Sequence, residues 1–167
     1  AGFFYAANLL GSAVEVSGLN ERSAQGDRAI VDYARQLSGA GEVTLDVSQC
    51  PDLVPPLAVM AALRDGETTR IVGAARLRIK ESDRLRSVAA ALKALGGDVR
   101  VLPDGLEIHG GTLTGGTVDA QNDHRIAMLA AVAASVCAEP VRIRGAEAVN
   151  KSYPGFWKDF TQLTKGD

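Results

Sequence analysis

The sequence has only two cysteines, Cys50 and Cys137, and they match neither the spacing of a metal site nor a disulfide framework. Both lie among apolar or turn residues, so we expect free thiols in a reducing compartment, here the cytoplasm.

Long apolar runs are also missing. The longest nearly uncharged run, IAMLAAVAASVCA at 126–138, is too short to span a bilayer and is rich in alanine. We therefore predict a buried helix there rather than a membrane anchor.

The sequence also lacks a large excess of charge of either sign, and it has few aromatic residues. The 18 Lys and Arg residues nearly balance the 20 Asp and Glu residues, for a net charge of −2, and aromatic residues make up 5% of the chain. This balance argues against broad attraction to nucleic acid, so any anion site must be a local cluster of cations. The 46% hydrophobic and 23% charged content is typical of a globular α/β protein. No linker rich in Pro, Ser or charge divides the chain, which favours one domain.

The sequence contains one pattern three times. In each copy an alanine-rich segment is followed by a short break, an alternating Val/Ile strand, a glycine and the start of another helix. The copies begin FFYAANLLG, LAVMAALRD and IAMLAAVAA, and their strands end at Gly18, Gly73 and Gly145. This order predicts helices that cover sheets containing both parallel crossovers and antiparallel hairpins. We expect an α/β or α+β domain of three related units.

Each repeat leads into an amphipathic helix. The predicted apolar faces are Ile30, Tyr33, Ala34 and Leu37 in the first, Leu85, Val88, Ala89, Leu92 and Leu95 in the second, and Phe156, Trp157, Phe160 and Leu163 in the third. We expect Asp27 and Ser82 to cap the first two helices, and Gly39 and Gly96–Gly97 to end them. Between the units, VRVLPDGLEIHG predicts a β-hairpin around Pro103-Asp104-Gly105.

Three cations stand at predicted helix starts, where the helix dipole opposes positive charge. Arg84 and Arg125 lie in first turns, and Lys151 lies just before the helix that SYPGF opens. The dipole disfavours each cation by roughly 0.3–1 kcal/mol, and a bound phosphate or carboxylate would reverse that sign. The pattern therefore predicts an anion site. The alternative is that Asp83 and Asp123 neutralise the neighbouring arginines, leaving solvated surface ion pairs.

Several titratable residues near these cations have two interpretations each. Asp52, in CPDLVPPLAVMAAL, is either the N-cap of an apolar helix or a functional carboxylate. Glu81 is either a counter-ion of its basic neighbours or a sheltered group that donates and accepts protons. His124 is either a proton shuttle or a packed residue in a first helical turn. His109 is interpreted as a strand residue only.

The motifs LRIKESDRL, NDHRIAM and KSYPGF closely resemble the signatures of the 5-enolpyruvylshikimate-3-phosphate synthase family, the 3-phosphoshikimate 1-carboxyvinyltransferases. The stretches FFYAANLLG, QGD and PDLVPPLAVMAA are similar to the family in the same order, so the resemblance covers essentially all 167 residues. It implies an enolpyruvyl transferase fold of two similar globular domains, each built from three βαβαββ units, with substrates bound between them. Residues 1–167 match one such domain, the C-terminal one. We expect that the N-terminal domain is absent, in agreement with the uncapped helix at Ala1.

The resemblance also implies an activity. The family transfers the enolpyruvyl group of phosphoenolpyruvate to the 5-hydroxyl of shikimate 3-phosphate by addition and elimination, and releases phosphate. This is a step of the shikimate pathway toward chorismate and the aromatic amino acids, and it needs no metal or other cofactor. The family's N-terminal domain supplies a further lysine and arginine. We therefore expect this chain alone to keep the fold and to lack turnover.

Particular residues take roles by the same resemblance. Asp52 is the base at the attacking hydroxyl and contacts the shikimate ring, and Lys80 also contacts that substrate. Glu81 is the proton donor and acceptor at the methylene carbon of phosphoenolpyruvate, assisted by Lys151. The phosphate and carboxylate of phosphoenolpyruvate are held by Arg84, Arg125 and Lys151, with His124 close by.

Two other functions compete with this one. The related UDP-N-acetylglucosamine enolpyruvyl transferases share the fold, but the KESDR and DHRIAM motifs argue against them. A stand-alone anion-binding module should have a basic surface. The net charge of −2 and the few aromatic residues give that alternative little support.

Overall fold

The computed structural model describes residues 2–9, 29–80 and 82–164. Its helices are α1 Gly2–Leu9, α2 Ile30–Leu37, α3 Val54–Ala62, α4 Arg84–Ala94, α5 His124–Ala134 and α6 Phe156–Thr164. Its strands are β1 Val43–Asp46, β2 Thr68–Val72, β3 Asp98–Leu102, β4 Gly105–His109, β5 Gly116–Asp119 and β6 Val141–Arg144. Short 3₁₀ turns precede α3, α4 and α6, at Pro51–Leu53, Ala75–Ile79 and Ala146–Lys151.

The three alanine-rich helices form the centre of the molecule. Helices α1, α3 and α5 pack against one another. Every residue of α3 is buried, and so is α5 from Ile126 to Ala133. A helix that is apolar on all sides is stable only inside a core, which is why the alanine-rich pattern marks the centre. The predicted buried helix at 126–138 is thus confirmed as far as Ala134, where α5 ends, whereas residues 135–138 lie beyond it and are partly or fully exposed. Among the described residues, no helix combines the length and the apolarity needed to cross a membrane.

The sheets lie outside these helices. One has the strand order β1-β2-β4-β3, in which β1 and β2 are parallel and the other pairs are antiparallel. The other pairs β5 with β6 in parallel. The crossovers run through α3 and α5, so each parallel pair is a βαβ unit. The mixture of crossovers and a hairpin confirms the predicted α/β architecture.

The repeats are visible in the order of the elements. The segment α3–β2–α4 corresponds to α5–β6–α6. Gly73 and Gly145 follow their strands in left-handed conformations, with φ of +77° and +73°, which glycine adopts at no steric cost. The hairpin of β3 and β4 around Pro103-Asp104 is confirmed. Gly18, the corresponding position of the first repeat, lies outside the described residues.

The cap of α4 corrects one prediction. Asp83, not Ser82, is the N-cap, and its Oδ1 accepts a bond from the Arg86 amide at 3.3 Å. The Ser82 hydroxyl instead faces Asp123, with 3.4 Å between Oγ and Oδ2. The other end is as predicted, because the Gly97 amide donates to the Leu92 carbonyl at 2.8 Å. The proposed cap of α2, Asp27, lies outside the described residues.

The apolar faces of the amphipathic helices are largely confirmed. The predicted residues of α4 are all buried, and Ile30, Ala34 and Leu37 of α2 are buried with Tyr33 partly covered. In α6 only the first half packs. Phe156 is buried against Phe4, with ring centroids 6.3 Å apart. Leu163 is exposed, contrary to the prediction, because the aromatic contacts of α6 end at Phe160.

Both cysteines are free thiols, as predicted. Cys50 is buried, and its Sγ lies 3.5 Å from the Tyr33 hydroxyl. Cys137 is partly covered, and burial raises the pKa of its thiol. A raised pKa leaves little of the reactive thiolate at neutral pH.

Candidate anion-binding site

The starts of α3, α4 and α5 bring predicted site residues together. Asp52 lies in the 3₁₀ turn that precedes α3, Arg84 is the first residue of α4, and Asp123 caps α5. The Arg84 guanidinium joins the three elements. Its Nη1 donates to Asp52 Oδ1 at 2.9 Å and its Nε donates to Asp123 Oδ2 at 2.8 Å. One arginine therefore fixes the relative positions of three helix starts.

The pair of Arg84 and Asp123 is buried. The two side chains are 2% and 0% exposed, and a second bond runs from Arg84 Nη2 to Asp123 Oδ1 at 3.2 Å. The alternative of solvated surface pairs is therefore wrong for Arg84. Asp83 was expected to neutralise it, but Asp83 pairs with Arg78 at 3.0 Å and with Arg86 at 3.4 Å. Asp123 reaches Arg84 because α4 and α5 pack side by side.

Arg125 approaches Asp52 from the other side. Its Nη2 lies 3.1 Å from Asp52 Oδ2, and its Nη1 donates to the Asp52 carbonyl at 3.2 Å. Asp52 thus lies between two guanidinium groups, with its side chain 36% exposed. The N-cap interpretation of Asp52 is wrong, because α3 has Leu53 at that position and no side-chain cap. The carboxylate faces the arginines instead.

Lys151 contacts the same region through the backbone. Its Nζ donates to the Asn122 carbonyl at 2.7 Å, one residue before the α5 cap. Gln121 and Asn122 have φ of +50° and +58°, which costs non-glycine residues about 1 kcal/mol or more each. The Asp119 carboxylate holds this turn by accepting from the Gln121 amide at 2.8 Å. A strained turn therefore presents the carbonyl that Lys151 binds.

The three cations are not equivalent, although the sequence predicted matched positions. Arg84 is buried behind two carboxylates, whereas Arg125 is 24% exposed and Lys151 is exposed. An incoming anion would meet Arg125 and Lys151 first, beside the amino end of α5. Helix amino ends and arginine forks both favour phosphate or carboxylate. The arrangement can bind an anion next to the Asp52 carboxylate.

The remaining predicted site residues lie outside the cluster formed by Asp52, Arg84 and Asp123, or outside the described residues. Lys80 is exposed at the end of the Ala75–Ile79 turn. His124 is the first residue of α5 and is half-buried. His109 lies at the end of β4, where its Nδ1 is 3.0 Å from the Thr68 hydroxyl, in keeping with a strand role. Glu81 lies outside the described residues. Within the described ranges, no group of three or more His, Cys, Asp or Glu side chains is arranged to hold a metal.

Two contributions were missed in the sequence. Asp123 was considered only as a surface counter-ion. No role was predicted for Arg78, but its guanidinium donates to the Leu102 carbonyl at 2.7 Å and to the Pro103 carbonyl at 2.9 Å. These acceptors are 24 and 25 residues away, so no local pattern marks the contact.

Known proteins resemble this chain over nearly its whole length. A family model described as EPSP synthase (3-phosphoshikimate 1-carboxyvinyltransferase) matches residues 1–160. The 3-phosphoshikimate 1-carboxyvinyltransferase of Clostridium novyi (strain NT) is 48% identical and is matched over 96% of this chain and 40% of its own length. The protein of the same name from Clostridium acetobutylicum is also 48% identical, over 98% of this chain and 41% of its own.

A solved structure of EPSP synthase from Acinetobacter baumannii superposes with a TM-score of 0.80 at 26% identity. The match covers 97% of this chain and 43% of that one. The chain therefore spans about two fifths of the length of its relatives. These matches favour the family predicted from the motifs over the UDP-N-acetylglucosamine enolpyruvyl transferases. On its sequence and its fold, the chain belongs to the EPSP synthase family.

Proposed function

We propose that this chain is one domain of an enzyme that transfers the enolpyruvyl group of phosphoenolpyruvate to the 5-hydroxyl of shikimate 3-phosphate. The observation that carries the proposal is Asp52 between Arg84 and Arg125, at 2.9 and 3.1 Å. A carboxylate beside an anion site is what the reaction needs, because a hydroxyl must lose its proton next to a bound phosphate ester. The relatives' names support the choice of reaction.

The residues divide the steps of addition and elimination between them. Asp52 takes the proton of the 5-hydroxyl of shikimate 3-phosphate while the oxygen of that hydroxyl bonds to C2 of phosphoenolpyruvate. Glu81, by family resemblance, protonates the methylene carbon, and Lys151 assists. Elimination then breaks the bond between C2 and the phosphate oxygen: Glu81 takes a proton back from the methyl group, and the proton held by Asp52 passes to the departing phosphate. Phosphate and the enolpyruvyl ether are the products.

The other predicted residues bind the substrates. Arg125 and Lys151 contact the phosphate and carboxylate of phosphoenolpyruvate, near His124. Arg84 keeps Asp52 and the α5 cap in place from its buried position. Lys80, on the exposed turn before α4, contacts shikimate 3-phosphate. No metal or other cofactor is part of this proposal.

The chain is proposed as the C-terminal domain of a two-domain protein that acts in the cytoplasm. Its match to about two fifths of each relative supports the view that it is one part of a longer protein. Closure of a second domain would add further cations and exclude water from the cleft. We therefore expect the chain alone to bind phosphate or phosphoenolpyruvate weakly, without turnover.

Two experiments test the proposal. In an NMR titration with inorganic phosphate, and separately with phosphoenolpyruvate, the amide signals of residues 82–84, 123–126 and 150–153 should shift. Arg125→Met should abolish these shifts. Arg35→Met is the matched control, because Arg35 lies on the solvent-exposed side of α2 and pairs only with Asp32 among the contacts described. Unchanged amides at these segments would contradict the anion site.

The second experiment tests turnover. The chain is combined with the part of the Clostridium novyi relative that it does not match, and phosphate release is measured with phosphoenolpyruvate and shikimate 3-phosphate. We expect release that requires both substrates and is lost in Asp52→Asn. Binding without turnover in a confirmed complex would favour an anion-binding module instead.

A further inference from the structure

Arg78 connects two loops and a helix cap. It lies in the Ala75–Ile79 turn, between the end of β2 and the start of α4. Its Nη2 and Nε donate to the carbonyls of Leu102 and Pro103, at 2.7 and 2.9 Å, in the turn between β3 and β4. Its Nη1 donates to Asp83 Oδ2, at 3.0 Å, on the α4 cap. All three guanidinium nitrogens of Arg78 therefore donate hydrogen bonds.

The β3–β4 turn also holds the beginning of the same segment. The Asp104 carbonyl accepts from the Ala74 amide at 2.7 Å, and Asp104 Oδ2 accepts from the Gly73 amide at 3.1 Å. The hairpin tip thus binds residues 73–74 through the backbone and Arg78 through its side chain. Between these points Leu77 is buried in the core. The segment is anchored up to residue 78.

Beyond Arg78 the chain leaves the core. Ile79 is 86% exposed and Lys80 is exposed. The next described anchor is Asp83, which both caps α4 and accepts the Arg78 bond. The position of Lys80 is therefore set from both sides by one guanidinium, which holds the chain before it and the cap after it.

We propose that Arg78 is a positioning residue that fixes Lys80 relative to the anion-binding site by binding the β3–β4 turn and the α4 cap. The part concerning substrate rests on the proposed function, in which Lys80 contacts shikimate 3-phosphate. Arg84, the first residue of α4, directly follows the cap. Arg78 thus relates Lys80 to the start of α4, from which Arg84 holds Asp52, without itself contacting a substrate.

Arg86 provides a matched comparison. It pairs with the same Asp83 carboxylate at 3.4 Å, but its side chain is 77% exposed, against 30% for Arg78. Exposed pairs of this kind contribute little to stability. Arg78→Met removes the fork, Arg78→Lys keeps one charge without the fork geometry, and Arg86→Met removes a charge from the same carboxylate.

Amide hydrogen exchange on the intact chain tests the anchor directly. In Arg78→Met, we expect the amides of 74–80 and of residues 102 and 104 to exchange about tenfold faster or more, since the charge-assisted bonds to the Leu102 and Pro103 carbonyls are lost. The amides of α3 and α5 should be unchanged. Arg78→Lys should give an intermediate rate and Arg86→Met no change. Equal exchange in Arg78→Met and Arg86→Met would overturn the proposal.

Steady-state kinetics test the positioning role. They are measured on the complex of this chain with the unmatched part of the Clostridium novyi relative. Arg78→Met should raise KM for shikimate 3-phosphate about tenfold and leave KM for phosphoenolpyruvate within about twofold, because Arg125 and Lys151 stay in place. Arg78→Lys should recover part of the loss. An equal effect on both substrates would indicate a general structural defect and overturn the role. If the wild-type complex shows no turnover, the proposed function fails. Amide hydrogen exchange alone then tests whether Arg78 anchors the segment before α4.

Discussion

Arg84 and Asp123 form an ion pair inside the protein, with 2.8 Å between Nε and Oδ2 and both side chains almost fully withdrawn from solvent. Asp123 also accepts a bond from the Arg125 amide at 2.9 Å as the cap of α5. One carboxylate therefore orders one arginine through its side chain and another through the helix start. Removing the Asp123 charge leaves the buried Arg84 guanidinium compensated less fully, by the partly exposed Asp52 carboxylate at 2.9 Å.

Asp123→Asn should destabilise the protein by about 3–5 kcal/mol. Asparagine caps helices as well as aspartate does, so the loss reports the ion pair rather than the cap. Urea unfolding monitored by circular dichroism measures the change. The control is Asp32→Asn, in an exposed pair with Arg35, which should cost less than about 0.5 kcal/mol. Equal losses in the two variants would contradict the importance of burial.

Asp52→Asn should strengthen phosphate binding while it abolishes turnover. The substitution removes a negative charge between two arginines, and a unit charge a few ångströms away contributes about 1–4 kcal/mol. Because Asp52 is partly exposed, we expect phosphate to bind roughly tenfold more tightly, as measured by NMR titration. Asp65→Asn, at an exposed turn, should leave the affinity unchanged. Weaker binding in Asp52→Asn would mean that Asp52 does not compete with the anion.

The outer face of the larger sheet should make stability depend on pH through Glu107. Arg70 donates to its Oε2 at 2.8 Å, Arg100 lies 2.8 Å from Oε1, and this hydrogen bond from Arg70 is the main reason that the pKa of Glu107 is lowered. A carboxyl whose folded pKa lies below its unfolded value stabilises the protein at neutral pH. That stabilisation is lost as the pH falls from about 4 through the folded pKa.

We therefore expect Glu107→Gln to be less stable than the wild type at pH 7, with a difference that shrinks below about pH 4. Urea midpoints at pH 7, 5, 4 and 3 measure this. Glu139→Gln, at an exposed position, should show no such trend. A gap between Glu107→Gln and wild type that stays constant down to pH 3 would assign the effect to packing instead of charge.

Gly73 and Gly41 separate backbone strain from steric contact. Both have positive φ, +77° and +92°. A Cβ at Gly73 would lie 2.6 Å from Asp46 Oδ1 and 3.0 Å from the Ser48 amide nitrogen, whereas a Cβ at Gly41 meets nothing within 4 Å. Gly41→Ala should cost about 1 kcal/mol from conformation alone, and Gly73→Ala about 1–3 kcal/mol more. Thermal unfolding of the two variants measures which one is less stable. Equal losses of stability would mean that the chain at the end of β2 accommodates a methyl group.

Much of the fold could be predicted because its signals are local. The Ala-rich pattern of α3 and α5, the apolar face of α4 and the hairpin around Pro103-Asp104 all depend on residues within a few positions of one another. Hydrophobic periodicity reflects burial directly, so the presence and type of these elements could be predicted. The Ser82 cap was wrong because Ser82 and Asp83 are both good caps, and adjacent candidates differ only in the final backbone geometry.

The sequence by itself predicted the family, the cations where helices begin and a repeated unit, of which the described residues show two copies. Only the tertiary structure decided which partner each cation contacts. Arg84 contacts partners 32 and 39 residues away, and Arg125 contacts one 73 residues away. Such contacts depend on how helices pack, and no spacing along the chain records them. For the same reason the sequence alone did not distinguish Arg84, Lys151 and Arg78, although Arg84 lies in a buried ion pair, Lys151 is exposed and Arg78 donates to the turn between β3 and β4.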